Sequence, residues 1–108
     1  MISEVEILGI LNASEANLRP AAGRLWKVIK IEPSRWEIVN SKRSENYFWV
    51  VGILGSQAIW YNHIEQDFSL TPFIRWGQLD RYEDAEMSLE YITEQILRTI
   101  EGEQKYSS

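Results

Sequence analysis

The chain has 108 residues, no cysteine, a single histidine and a formal net charge of −5. That length suits one domain with an ordinary core, and the lack of cysteine excludes disulfides, thiolate nucleophiles and cysteine-ligated zinc or iron–sulfur centres. The charge is uneven: residues 19–43 hold seven basic against two acidic side chains, while residues 44–108 hold four against eleven.

At the N-terminus, Met1 to Glu6 is acidic and has neither a basic n-region nor a long apolar run, so no signal peptide is expected. No stretch approaches the ~20 apolar residues that span a bilayer, and a cytoplasmic location is the default expectation. Ser3 with Glu6 three residues on fits a capping box. Ile2, Val5, Leu8 and Leu11 then recur at helical spacing, which predicts a helix over the first dozen residues with those four side chains on its apolar stripe. A second helix is predicted from Pro20, which suits a first turn. Its stripe is Ala21, Leu25 and Val28 beside Ala22, Trp26 and Ile29, and Pro33 ends it by Glu32 at the latest.

From Arg35 the apolar period changes to two, predicting a short strand through Trp36 and Ile38, followed by a polar loop from Asn40 to Asn46. The strongest local signal comes next. Tyr47 to Leu54 and Gln57 to Ile64 are two β-rich runs joined by Gly55-Ser56, a hairpin with glycine first in a type II′ turn. If Leu54 faces Gln57, the same register sets Val51 opposite Trp60, Trp49 opposite Asn62 and Phe48 opposite His63. Trp49, Val51, Trp60 and Asn62 then share one face, and Phe48, Val50, Ile59, Tyr61 and His63 share the other. Both faces are apolar, unlike a half-exposed antiparallel hairpin. The hairpin is therefore expected to be central and covered on both sides, by helices on one and by a second layer, a long loop or another molecule on the other.

Thr71-Pro72 reads as a break, with a further strand from Phe73 towards Leu79. The last helix is predicted from the stripe Ala85, Leu89, Ile92, Ile96 and Ile100, capped by Asp84 and ended by Gly102, with Glu94 and Arg98 at the favourable i,i+4 spacing on the outside. Residues 103–108 read as a disordered tail. The fold class is α+β: a single domain over residues 1–102, with an antiparallel sheet of three to five strands, a central hairpin at 47–64, an N-terminal helical region and a C-terminal helix.

For chemistry, the stretch from Ile59 to Phe68 sets His63 among carboxylates. On one strand His63, Glu65 and Asp67 all point the same way, but side chains two apart diverge in ~7 Å steps and cannot close on one ion unless the strand bends. No metal or cofactor is expected. The phosphate-cradling and nucleophile-elbow patterns are absent; Gly52 to Ser56 carries glycines in a hairpin, not on a strand-to-helix turn. Five tryptophans are many for so small a core, and aromatics are enriched at binding hot spots. At least one ring is expected at an edge, groove or interface. The basic segment 19–43 is the only feature pointing to nucleic acid, which an acidic chain disfavours. Asp80, Glu83, Asp84, Glu86, Glu90 and Glu94 form the opposite feature, an acidic surface suited to a basic partner.

The segment Phe48-Trp49-Val50-Val51, Trp60-Tyr61-Asn62-His63-Ile64-Glu65, Phe68 and Gly77 to Tyr82 resembles a group of small bacterial proteins that have no assigned activity. The resemblance covers about residues 25–82 and implies no site residues. That group is expected to hold an acidic residue where His63 stands, which counts against a catalytic His63. The leading expectation is a non-enzymatic protein-interaction module, immunity- or inhibitor-like, that binds a basic protein through its acidic surface; a homodimer through one hairpin face is compatible with it. The alternative is a small enzyme or ligand binder with a pocket of Asn62, His63, Glu65 and Asp67 rimmed by Trp49 and Tyr61; Trp60 is a further candidate binding residue.

Overall fold

The structure, a computed structural model, describes residues 1–39, 46–82 and 87–106. Helices α1 (Glu4–Glu15) and α2 (Pro20–Ile29) lead into strands β1 (Lys30–Ile38), β2 (Tyr47–Leu54), β3 (Gln57–Asn62), β4 (Asp67–Pro72) and β5 (Gln78–Leu79), and α3 (Leu89–Tyr106) follows. The five strands form one sheet in the order β4-β3-β2-β1-β5, antiparallel except for the short β1–β5 pair. The fold is α+β, as the sequence pattern implies.

The capping box forms as expected. Ser3 Oγ accepts the Glu6 amide at 3.1 Å, and Glu6 reaches back to the Ser3 amide at 3.4 Å. The stripe of α1 does not match the prediction: Ile7 and Leu11 are buried, whereas Val5 and Leu8 are exposed. Nearly every position on this helix except the polar ones is apolar, so spacing alone could not choose the inward face. In α2, Ala22, Trp26 and Ile29 are buried and Val28 faces water. This helix ends at Ile29, before Pro33 can act, because Lys30 is already extended. β1 therefore starts five residues earlier than Arg35 and carries Pro33 within it, at a register irregularity between Lys30 and Ser34. A bulge or unpaired stretch is where a strand tolerates proline.

The Gly55-Ser56 turn joins β2 and β3 as predicted, with Gly55 at φ +59° and Ser56 outside the left-handed region, the pattern of a II′ turn. Register holds for Leu54↔Gln57, Ile53↔Ala58 and Gly52↔Ile59, then slips by one. Beyond a bulge at Val51 the partners are Val50↔Trp60 and Trp49↔Tyr61, not Val51↔Trp60 and Trp49↔Asn62. A one-residue slip exchanges faces. Trp49 and Val51 consequently share the helix-covered face with Ile59 and Tyr61, while Phe48 and Val50 join Ala58 and Trp60 on the opposite face.

Gly52, next to the bulge, is where α2 comes closest to the sheet. A Cβ built there would lie 2.8 Å from Cζ3 of Trp26 and 3.4 Å from the Ile29 carbonyl, so the indole of α2 rests directly on bare backbone. Trp26 is fixed in turn, since its Nε1 donates to Glu15 at 2.6 Å. All three helices close this face, with Ile7, Leu11, Ile29, Leu89, Ile92 and Ile96 packing against the sheet. Full burial of side chains this size contributes about 1.5–3 kcal/mol each.

The other face is closed by the chain's own residues 73–82. Phe73 stands edge-on to Trp36 at 5.0 Å, Tyr82 tilts over Phe48 at 5.9 Å, and Leu79 of β5 is fully buried beside them. A long loop is thus the second layer, and the hairpin needs no other molecule to cover it. Thr71-Pro72 is not a break but the end of edge strand β4, and the strand expected from Phe73 shrinks to Gln78–Leu79. α3 begins at Leu89 with the Tyr91 amide bonded to Ser88 Oγ at 3.0 Å, and it continues past Gly102 to Tyr106. Asp84, expected to cap this helix, and Ala85, expected to begin its stripe, lie outside the described residues. No helix among the described residues is long and apolar enough to cross a membrane.

Gly52→Ala should lower stability by about 1–3 kcal/mol, because the added methyl must displace a pinned indole. Urea denaturation of the two proteins measures the difference.

Candidate functional site

The residues singled out in the sequence fall into three separate environments. β3 ends at Asn62, residues 63–66 turn, and the chain returns as β4 from Asp67. His63, Glu65 and Asp67 are therefore not on one strand, and the expectation that they point the same way fails because the chain reverses between them. Among the described residues no three His, Asp or Glu side chains are placed to hold a metal ion.

Asn62 makes that reversal. It is completely buried; its Oδ1 accepts the amides of Ile64 and Glu65 at 3.0 and 3.1 Å, and its Nδ2 donates to the Tyr82 hydroxyl at 2.8 Å. The turn closes with the Gln66 amide on the Asn62 carbonyl at 2.7 Å and Gln66 at φ +60°. One side chain thus shapes the β3–β4 turn and ties it to the loop that closes the far face. His63 stacks on Phe48, ring centroids 4.8 Å apart, on the loop-covered face. Trp60 is buried on that face with its Nε1 on Thr71 Oγ1 at 2.9 Å, and Trp49 lies on the helix face with its Nε1 on the Ile2 carbonyl at 2.9 Å. The bulge in β2 separates Trp60 from Trp49, whereas Trp49 and Tyr61, the pair expected to rim one pocket, lie opposite each other on the helix-covered face, away from His63. Glu65 faces solvent.

The acidic surface is also rearranged. Glu94, expected outward beside Arg98, takes both Nε and Nη2 of Arg19 at 2.7 and 2.8 Å. Arg19's hydrogen bond holds the Glu94 carboxyl below the ordinary glutamate value, and Glu94 raises Arg19 in return. Lys30 is similarly held by Glu15 at 2.6 Å. Two cations of the basic segment thus bind acids from its flanks, one from the N-terminal helix and one from the C-terminal helix. Glu90 remains exposed and Asp80 is half-buried, while Glu83, Asp84 and Glu86 lie outside the described residues. Trp76 is the ring that ends at the surface, 63% exposed beside Trp36.

Besides a concavity of about 340 Å³ between α1 and the α2–β1 junction, which holds the Glu15–Lys30 pair, two concave features flank the start of α3. The larger is a groove of about 570 Å³ between α3 and the β2–β3 turn, floored by Leu54, Leu70, Ile92, Ile96 and Ile100. Gln57 and Gln95 stand on its rim, and no charged side chain lines it. The smaller is an acidic cleft of about 150 Å³, lined by Tyr61, Asp67 and Glu90 together with Ser14 and Asn17 from the end of α1 and the apolar Ile10, Phe68 and Leu89. Met87 lines the groove and Ser88 the cleft; between them the Phe68 amide donates to the Met87 carbonyl at 2.9 Å. The groove has no single-residue signature in the sequence, since its lining comes from four separate segments. Compared with known proteins, the chain matches no family model, no curated protein and no solved structure.

Asn62→Ala leaves two turn amides and the Tyr82 hydroxyl without their partner and should cost about 1–3 kcal/mol, whereas Glu65→Gln should stay within about 0.5 kcal/mol of wild type; chemical denaturation compares them. For Glu94, a folded pKa below the ordinary 4.5 means that its contribution is present at neutral pH and is lost as the pH falls through the lowered value. Thermal melts of wild type and Glu94→Gln should therefore differ at pH 7, converge in acid, and converge again in high salt.

Proposed function

We propose that this chain is a non-enzymatic protein-interaction module, and that its docking surface is the groove along α3. The observation that carries the reading is the groove itself, about 570 Å³ and floored by aliphatic side chains. That size lies in the range of ligand-binding concavities. The residues that catalysis would need are dispersed: His63 lies against Phe48, Glu65 in water and Asp67 in the separate cleft.

An extended apolar segment suits the groove better than a charged one, because no ionised group lines it. The adjoining sheet edge adds backbone specificity. Alternate residues of an antiparallel edge strand turn their amides and carbonyls away from the partner strand. On β4 those residues are Phe68, Leu70 and Pro72, of which Phe68 already bonds Met87 and proline has no amide. Leu70 is left as the outward-facing rung, and its side chain lines the groove. A partner strand can pair there while alternate side chains enter the groove. Basic residues of such a partner would lie outside the groove, towards the acidic side chains beyond it.

A photo-crosslinking residue placed at Gln57, Gln95 or Thr99 in the source cell should give one common protein adduct, identified by mass spectrometry, that is absent when the same residue replaces Val28 on the outer face of α2. No adduct, or equal adducts from Val28, would count against the groove as a docking surface.

A further inference from the structure

The acidic cleft beside the groove carries a separate chemistry. Tyr61 lines it with only 7% of its surface exposed, its ring edge-on to Phe68 at 5.2 Å. Among the described residues its hydroxyl makes no hydrogen bond. The ring is buried, but the hydroxyl itself is not sealed from solvent, so it opens into the cleft and is available to a ligand there. Asp67 contributes a carboxylate from the start of β4; one oxygen accepts the Phe68 amide at 3.1 Å, and the other makes no bond within the described residues. Glu90 contributes a second carboxylate from the first turn of α3, and no Lys, Arg or His lines the cleft.

We infer that the Tyr61–Asp67–Glu90 cleft binds a primary ammonium group. An ammonium presents three N–H donors and no acceptor, and the cleft presents a phenolic oxygen and two carboxylates. Charge-assisted bonds of this kind are stronger than neutral ones. Burial first, and then the Asp67 charge, hold the Tyr61 hydroxyl above its usual value, so it stays a neutral donor and acceptor beside the carboxylates. A divalent cation fits less well. Calcium takes six to eight oxygen ligands, several of them carboxylates, and among the described residues no three His, Asp or Glu side chains converge here or elsewhere. The volume of about 150 Å³ admits an alkylammonium head of a few atoms.

The ammonium can belong to a free amine or to a lysine side chain. The cleft and the groove lie on either side of the Phe68–Met87 bridge, so a lysine source rests on the docking reading above, whereas ammonium binding itself does not.

Amide chemical shifts of the full chain, followed during titration with n-butylammonium chloride and separately with the peptide acetyl-Gly-Lys-Gly-amide, test the inference. Saturable shifts are expected at Gln66, Asp67, Ser88 and Glu90, weakened about tenfold in Asp67→Asn and by a smaller factor in Tyr61→Phe. Tyr61→Phe keeps the ring packing, so its spectrum reports a folded protein. Tighter binding of the peptide identifies a protein lysine as the source, and equal binding identifies a free amine. Ile100→Glu, which alters the groove, should leave the butylammonium titration unchanged, so failure of the docking reading would not mimic failure here. The inference is overturned if n-butanol or sodium chloride reproduces the shifts, if calcium chloride saturates the same amides at lower concentration, or if neither ammonium probe saturates.

Discussion

The contact between the Trp26 indole and the bare backbone of Gly52 organises this molecule. It brings α2 onto the middle of the sheet, where any larger residue would collide with a ring already held by Glu15. The bulge at Val51 sits beside that contact, and it decides which side chains of β2 face the helices. Everything on the near face, from Ile7 to Ile96, packs against a surface defined by that one-residue slip. The far face follows as its complement, with Trp36, Phe48 and Trp60 covered by the loop that carries Phe73 and Tyr82.

Features set by near neighbours were legible in the sequence. The Ser3–Glu6 capping box, Pro20 at the start of α2, the Gly55-Ser56 turn and the buried Leu89, Ile92 and Ile96 of α3 all depend on residues within a turn or two of each other. Features set by distant contacts were not. Val5 and Leu8 match the period of α1 as well as Ile7 does, and only docking against the sheet separates them. The bulge lies beside a contact made by a tryptophan some 26 residues upstream and has no mark in its own neighbourhood, so extending the turn's register through the hairpin placed Trp49 and Trp60 on one face, where the slip separates them. Edge strand β4 was hidden for a related reason: Thr71-Pro72 reads as a break locally, but proline is acceptable where its missing amide faces away from the sheet.

The same division runs through the candidate site. Asn62 stood out in the sequence beside His63, yet its work is to close a turn and bind Tyr82. Tyr61 and Asp67 were singled out for a pocket with Trp49 and His63, and the fold gives them Glu90 instead. The charge map was similarly legible in amount and not in arrangement. Arg19 and Lys30 bind Glu94 and Glu15, so part of the contrast between basic centre and acidic flanks is spent inside the fold, fastening α2 to α3 and β1 to α1. What the fold leaves beside α3 is an uncharged groove and, across one backbone hydrogen bond, an acidic cleft.

The most direct test of this account is the register of β2 against β3, read from inter-strand nuclear Overhauser contacts. The bulge predicts backbone proximity of Trp49 with Tyr61 and of Val50 with Trp60, the Trp26 ring against Gly52, and the Trp49 and Trp60 indoles on opposite sides of the sheet. Proximity of Val51 with Trp60 and of Trp49 with Asn62 would mean a regular hairpin, and would contradict the arrangement of both faces and of the groove and cleft built on them.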